Sequence, residues 1–209
     1  MPRMRRVPQY EGAAMLSNHR PMTEPEIAAF LQARENRWEL IDGEPVMMAP
    51  TSQRHAYIVA NILCALYAQR GGTRCRPTCA RTGVRTGEAT IRYPDIVVDC
   101  GARDDHKTCA TTPVLVIEVV SPARDRFDSH LRVSDYKAHP DIAYIILIDP
   151  DAPRAITHRR DGAGWRDHLH AGLDQIVDIP EIGAGLALHE VYVGLEVSHT
   201  HAGPRRRPC

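Results

Sequence analysis

Three short apolar runs constrain this chain more than any other feature: TIRYPDIVVDC (90–100), PVLVIEVVS (113–121) and IAYIILIDP (142–150). Each is rich in β-branched residues, short for a helix and bounded by turn residues, the pattern of strands buried on both faces of one sheet. The polar segment ARDRFDSHLRVSDYKAHP between the last two suits a single helix that ends before Pro140. Strand, helix, strand in that order is the arrangement of a right-handed crossover.

The flanking segments add elements around this sheet. TEPEIAAFLQAR, with Thr23 as its cap, predicts a short helix, and RWELIDGEPVMMAP predicts a hairpin turning at Asp42-Gly43. Between Ser52 and Gln69, Ile58, Val59, Ile62, Leu63 and Leu66 fall at helical spacing before Gly71-Gly72 ends the run. The Arg-rich stretch that follows reads as strand, loop and strand, exposing Arg74, Arg76, Arg81 and Arg85. RAITHRR and GWRDHLH read as antiparallel strands. No Gly-rich phosphate loop precedes a helix.

Composition limits the function classes. The 209 residues carry 26 Lys+Arg against 26 Asp+Glu, a formal net charge of zero, with 43% hydrophobic residues. That is one globular domain with extensions, expected as a domain at 22–197 between tails at 1–21 and 198–209, and long enough to bury a core without staples. Charge balance excludes a histone-like protein but not nucleic-acid binding, which depends on where the arginines lie. An aromatic content of 5% argues against a single-strand binder built on base stacking. With no apolar run of about 18 residues and no secretory pattern, the chain is expected to be cytoplasmic and its six cysteines reduced. A zinc site from Cys75, Cys79, Cys100, Cys109 and His106 is a weaker reading, because the spacings lack close CxxC knuckles.

Asp95 and Glu118 stand inside two of the apolar runs. Burying an ionised carboxylate without a partner is costly, and two on neighbouring strands suit a shared cation, with carboxylate oxygen the hard ligand that Mg²⁺ takes. Glu39 or Glu44 could supply a third carboxylate from the hairpin, with Glu39 the more readily read as merely exposed. On the crossover helix, Asp128, Arg132 and Tyr136 repeat at i, i+4 and i+8 and form one stripe, either a solvated face or a face turned toward the carboxylates.

The ordered series RYPDIVVD, LVIEVVSP, D-x3-R-x3-Y and AYIILIDP resembles the Uma family of restriction endonucleases, within the PD-(D/E)XK nuclease superfamily. WELIDGEPVMMAP, His55 with the following helix, and PEIGAGLALHEVYVGL extend the resemblance over roughly 22–197. It implies an α/β, restriction-endonuclease-like core: a central mixed β-sheet flanked by α-helices, with additional antiparallel strands. It also implies hydrolysis of DNA phosphodiesters with Mg²⁺ (or Mn²⁺). Carried over by position, Asp95 and Glu118 are metal ligands with the Val119 carbonyl as a third, and Glu44 (or Glu39) is the hairpin acid. Arg132, Tyr136 and His55 fall on the substrate side. Cutting both strands of a duplex would be simplest for a homodimer.

Two positions depart from that pattern. The superfamily lysine two residues past the glutamate is Val120 here, and the family's helix lysine is Arg132. Arginine offers a planar fork to phosphate but does not give up its proton. Only Lys107 and Lys137 remain in the chain, and Lys137 lies about 140° around the helix from Arg132. The first reading is therefore a metal-dependent endonuclease, with Arg132 offsetting phosphate charge. The alternative is a catalytically impaired nuclease-fold module that binds DNA or a protein partner.

Overall fold

The hairpin forms where its dipeptide places it. β1 (Trp38–Ile41) runs antiparallel to β2 (Glu44–Met47), and both turn residues have positive φ, 51° at Asp42 and 83° at Gly43, as a two-residue type I′ turn requires. The chain is described here by a computed structural model covering residues 38–48, 50–79, 81–120 and 126–197. The helix expected from Thr23 and the two terminal extensions lie outside the described residues.

After the hairpin, α1 (Gln53–Arg70) begins at Ser52, whose hydroxyl accepts from the His55 backbone N–H at 3.2 Å. This is the N-cap bond that a serine supplies to the first turn. The Arg-rich stretch gives β3 (Arg76–Cys79) and β4 (Val84–Gly87). The run TIRYPDIVVDC, expected as one strand, divides into β5 (Thr90–Arg92) and β6 (Ile96–Asp99). The physical reason is Pro94, which has no N–H for a ladder, so the chain changes sheet there. β5 joins a four-stranded sheet of order β2-β1-β5-β4, while β6 joins the central sheet.

β7 (Pro113–Val119), α2 (Arg126–Ala138) and β8 (Tyr144–Ile148) form the expected crossover, with β7 and β8 parallel from Leu115↔Tyr144 to Val119↔Ile148. β9 (Arg154–Asp161) and β10 (Gly164–Ala171) add the antiparallel pair. The central sheet thus has six strands in the order β10-β9-β8-β7-β6-β3. β11 (Ile176–Ile179), β12 (Ala184–Ala187) and the short α3 (Leu188–Val191) complete the described chain.

Strand alternation divides the core between the two faces of this sheet. Ile58, Ile62 and Leu66 of α1 pack with Ile96, Val98, Leu115 and Ile117 on one face. Val97, Val116 and Ile145 face the other way, against Val133 and Tyr136 of α2. Glu118 has the parity of Val116 and belongs to the α2 face, where the Tyr136 hydroxyl meets it; Asp95 lies in the bend just before β6. No described helix is long and apolar enough to cross a membrane.

The cysteines differ from expectation. The antiparallel register pairs Arg76 with Asp99, which leaves Cys75 and Cys100 across from one another, and the two are joined in a disulfide. That removes two ligands from the zinc reading. Cys79 is exposed, and Cys109 packs on the cluster of Leu40 and Ile91.

Candidate active site

Register creates the centre of the site. Ile96 pairs with Ile117 at the end of the β6–β7 ladder, and the residues that adjoin this pair, Asp95 in the bend before β6 and Glu118 in β7, meet there. Both are buried, at 7% and 4% exposure, and both line one open cleft. Asp95 Oδ2 accepts from the Val119 backbone N–H at 2.9 Å and lies 2.9 Å from His55 Nε2. The first turn of α1 therefore holds one carboxylate from the side. On the crossover helix, the Tyr136 hydroxyl donates to Glu118 Oε1 at 2.7 Å, and Arg132 Nη1 sits 3.6 Å from the same oxygen.

Arg132 makes its shorter contact with the hairpin, donating to Glu39 Oε1 at 2.7 Å. Glu39 is 2% exposed. It also accepts from the Tyr93 backbone N–H at 3.0 Å and from Arg92 Nη1 at 3.0 Å. Arg92, 1% exposed, continues to Asp135 on α2 through Nε at 2.8 Å and Nη2 at 2.7 Å. A buried ionic chain thus ties β1 and β5 to α2 beneath the cleft.

Among the described residues here, carboxyl groups outnumber guanidiniums. Glu39, Asp95, Glu118 and Asp135 stand against the guanidiniums of Arg92 and Arg132. Burial, and next the neighbouring Asp95 charge, push the Glu118 carboxyl up to about 8; Arg132 and the Tyr136 hydrogen bond only partly counter them. A cation placed between the two carboxylates would relieve that repulsion. Among the described residues no three His, Cys, Asp or Glu side chains form a ready-made cage. The donor set fits Mg²⁺ nonetheless, since that ion keeps several waters and takes only one or two carboxylates.

A family model described as "Putative restriction endonuclease", Uma2, matches residues 25–190. The chain belongs to the Uma2 family. An uncharacterized protein from Synechocystis sp. is 24% identical over 181 residues, covering 84% of this chain and 94% of its own. A crystal structure from Anabaena variabilis, described as a putative nuclease belonging to DUF820, superposes with a TM-score of 0.62 at 20% identity. That match covers 82% of this chain and 97% of the other. It shows that this Uma2 chain has the fold of that protein, with a central mixed sheet.

Among the residues singled out from the sequence, Asp95, Glu118, Val119, Arg132 and His55 all line the cleft of this Uma2 protein, and Tyr136 reaches it through Glu118. Glu44 does not. It lies exposed at the turn end of β2, outside the lining, and the buried hairpin acid is Glu39, contrary to its reading as an exposed residue. The reason is position along the strand: Glu39 sits over β5 and α2, whereas Glu44 pairs with Ile41 beside the turn. The side chain of Asp128 lies outside the described residues. Neither lysine lines the cleft; Lys107 is exposed in the β6–β7 loop, and Lys137 lies 5.6 Å over the Trp165 ring.

Arg92 and Asp135 were not singled out from the sequence. The signal for Arg92 was present, a charge between apolar neighbours in a strand, the same signal that marked Asp95. The expected arginine face is also partly committed within the fold. Arg74 Nε donates to the Cys100 carbonyl at 2.6 Å, and Arg76 Nη2 to that of Gly101 at 2.8 Å.

Proposed function

We propose that this Uma2 protein is a divalent-metal-dependent endonuclease that hydrolyses DNA phosphodiester bonds. The observation that carries this reading is the pair of buried carboxylates, Asp95 and Glu118, in an open cleft where, among the described lining residues, carboxylates outnumber guanidiniums. Asp95, Glu118 and the Val119 carbonyl would hold Mg²⁺ or Mn²⁺. When bound, the ion supplies Lewis-acid chemistry, lowering the pKa of water and offsetting phosphate charge.

The chain's own residues do the positioning. His55 against Asp95, and Tyr136 against Glu118, hold each carboxylate in one orientation. Arg132, anchored on Glu39, presents guanidinium N–H groups to a phosphate in the cleft and stabilises charge that develops there, without serving as a proton acceptor. His55 is the described imidazole at the cleft. A two-fold homodimer would let two such sites cut both strands of a duplex.

The test is incubation of the purified protein with supercoiled plasmid and Mg²⁺ or Mn²⁺, beside Asp95→Ala and Glu118→Ala. Nicking or linearisation by the wild type and its loss in both variants is the expected result. Cleavage that survives both substitutions would refute this site. DNA binding by the wild type without any cleavage would leave a binding module in place of an enzyme.

A further inference from the structure

The cleft has a second kind of wall. Beside the carboxylates, the hairpin and the segment leading into α1 contribute Ile41, Val46, Met47, Met48 and Pro50. Val46 and Met47 are 42% and 52% exposed, although they adjoin a buried ionic site. Val46 pairs directly with Glu39 across β1 and β2, so its side chain shares a face with the carboxylate that anchors Arg132. Arg132 is the only lysine or arginine among the described lining residues.

A groove that followed nucleic acid through its phosphates alone would be lined by cations. The described residues of this one set a single guanidinium beside an apolar surface. Apolar side chains presented to DNA act as wedges between base steps and hold them unstacked. They need not be aromatic, which accords with the low aromatic content of the chain. The cleft encloses about 380 Å³, a volume in the range of a single small-ligand site and on the scale of one nucleotide.

We infer that the Val46–Met47 wall is a nucleoside subsite, which receives one base unstacked from its neighbours while the adjoining phosphate meets Arg132. The preferred substrate class is then DNA already open at the cleavage position: single strands, gaps or mismatches ahead of fully paired duplex. The inference rests on the endonuclease reading and extends it from reaction to substrate.

The test uses the full chain in EDTA, so that binding is read without hydrolysis. Oligonucleotides carrying 2-aminopurine, whose fluorescence rises on unstacking, are compared as single strand, centrally mismatched duplex and fully paired duplex. Wild type should bind the mismatched duplex about tenfold more tightly than the paired one, with a fluorescence rise. Val46→Ser/Met47→Ser, changing two exposed side chains, should lose most of that preference and of the rise while its thermal melt stays unchanged. Equal affinity for paired and mismatched duplexes, or a preference that persists in the double variant, would overturn the subsite. If metal-dependent plasmid cleavage is still seen, the endonuclease reading stands without it; failure to bind or cut any DNA would remove both.

Discussion

Arg132 meets two acids at once through a single guanidinium nitrogen. One nitrogen lies 2.7 Å from Glu39 and 3.6 Å from Glu118, so a single side chain from α2 compensates an acid from the hairpin and an acid from the central sheet. Arg132→Ala should therefore destabilise the metal-free protein by about 1–3 kcal/mol, the cost of leaving buried acceptors poorly compensated. Adding Glu39→Gln should return part of that loss, because the amide removes a carboxylate that would then have Arg92 as its remaining described cationic partner. Urea denaturation of the four proteins in the cycle measures the coupling; strict additivity would show that Arg132 and Glu39 do not act as a pair. The candidate pair Asp95 and Glu118 was legible from residue type alone, since a carboxylate in a β-branched run violates burial preference. The choice between Glu39 and Glu44 was not legible, because both sit on the same face of one hairpin and only the strands packed against it distinguish them.

At the scale of elements, β6 and β7 must leave the sheet without losing their register, and Asp99 secures that exit. Its carboxylate accepts from the backbone N–H groups of Gly101 and Thr112 at 2.9 Å each and of Thr111 at 3.3 Å. Burial by itself would raise its pKa, but these bonds, with Arg76, outweigh burial and hold it below its ordinary 3.8. The sign follows from linkage: the folded state binds the proton less readily than the unfolded state, so the stabilisation is complete above pH 3.8 and disappears as pH falls through the lower folded value. Asp99→Asn should cost about 1–3 kcal/mol near neutral pH, with the difference from wild type narrowing below pH 4. A gap that stays constant across that range would rule out the charged form as the source. Pattern and turn chemistry predicted most elements, including the crossover, the β9–β10 pair and α1. The division of TIRYPDIVVDC between two sheets was missed. Apolar content reports burial and not which sheet does the burying, and Pro94 was the mark of the change.

At the scale of the whole molecule, several of the described arginines are committed to contacts within the fold. Arg92 is buried in an ionic chain, Arg74 and Arg76 donate to backbone carbonyls, and Arg132 is the only lysine or arginine among the described cleft residues. DNA affinity should accordingly fall only gently with salt, with a slope of log K on log salt of about −1 to −3; proteins that cover six to ten phosphates show far steeper slopes. Fluorescence anisotropy from low to moderate salt gives that slope, and a value near −10 would place a large basic surface elsewhere on the chain. Net charge could not have foretold this, because a sum of zero is indifferent to which arginines are spent inside the fold.

The link from buried Glu39 through buried Arg92 to half-buried Asp135 has a mechanical consequence. The hairpin bearing Val46 and Met47 is clamped to the helix bearing Arg132, so swinging one away from the other would open ion pairs in a low-dielectric interior. The two sides of the cleft are jaws of fixed gauge, and a strand entering between them must adapt its own shape to the opening.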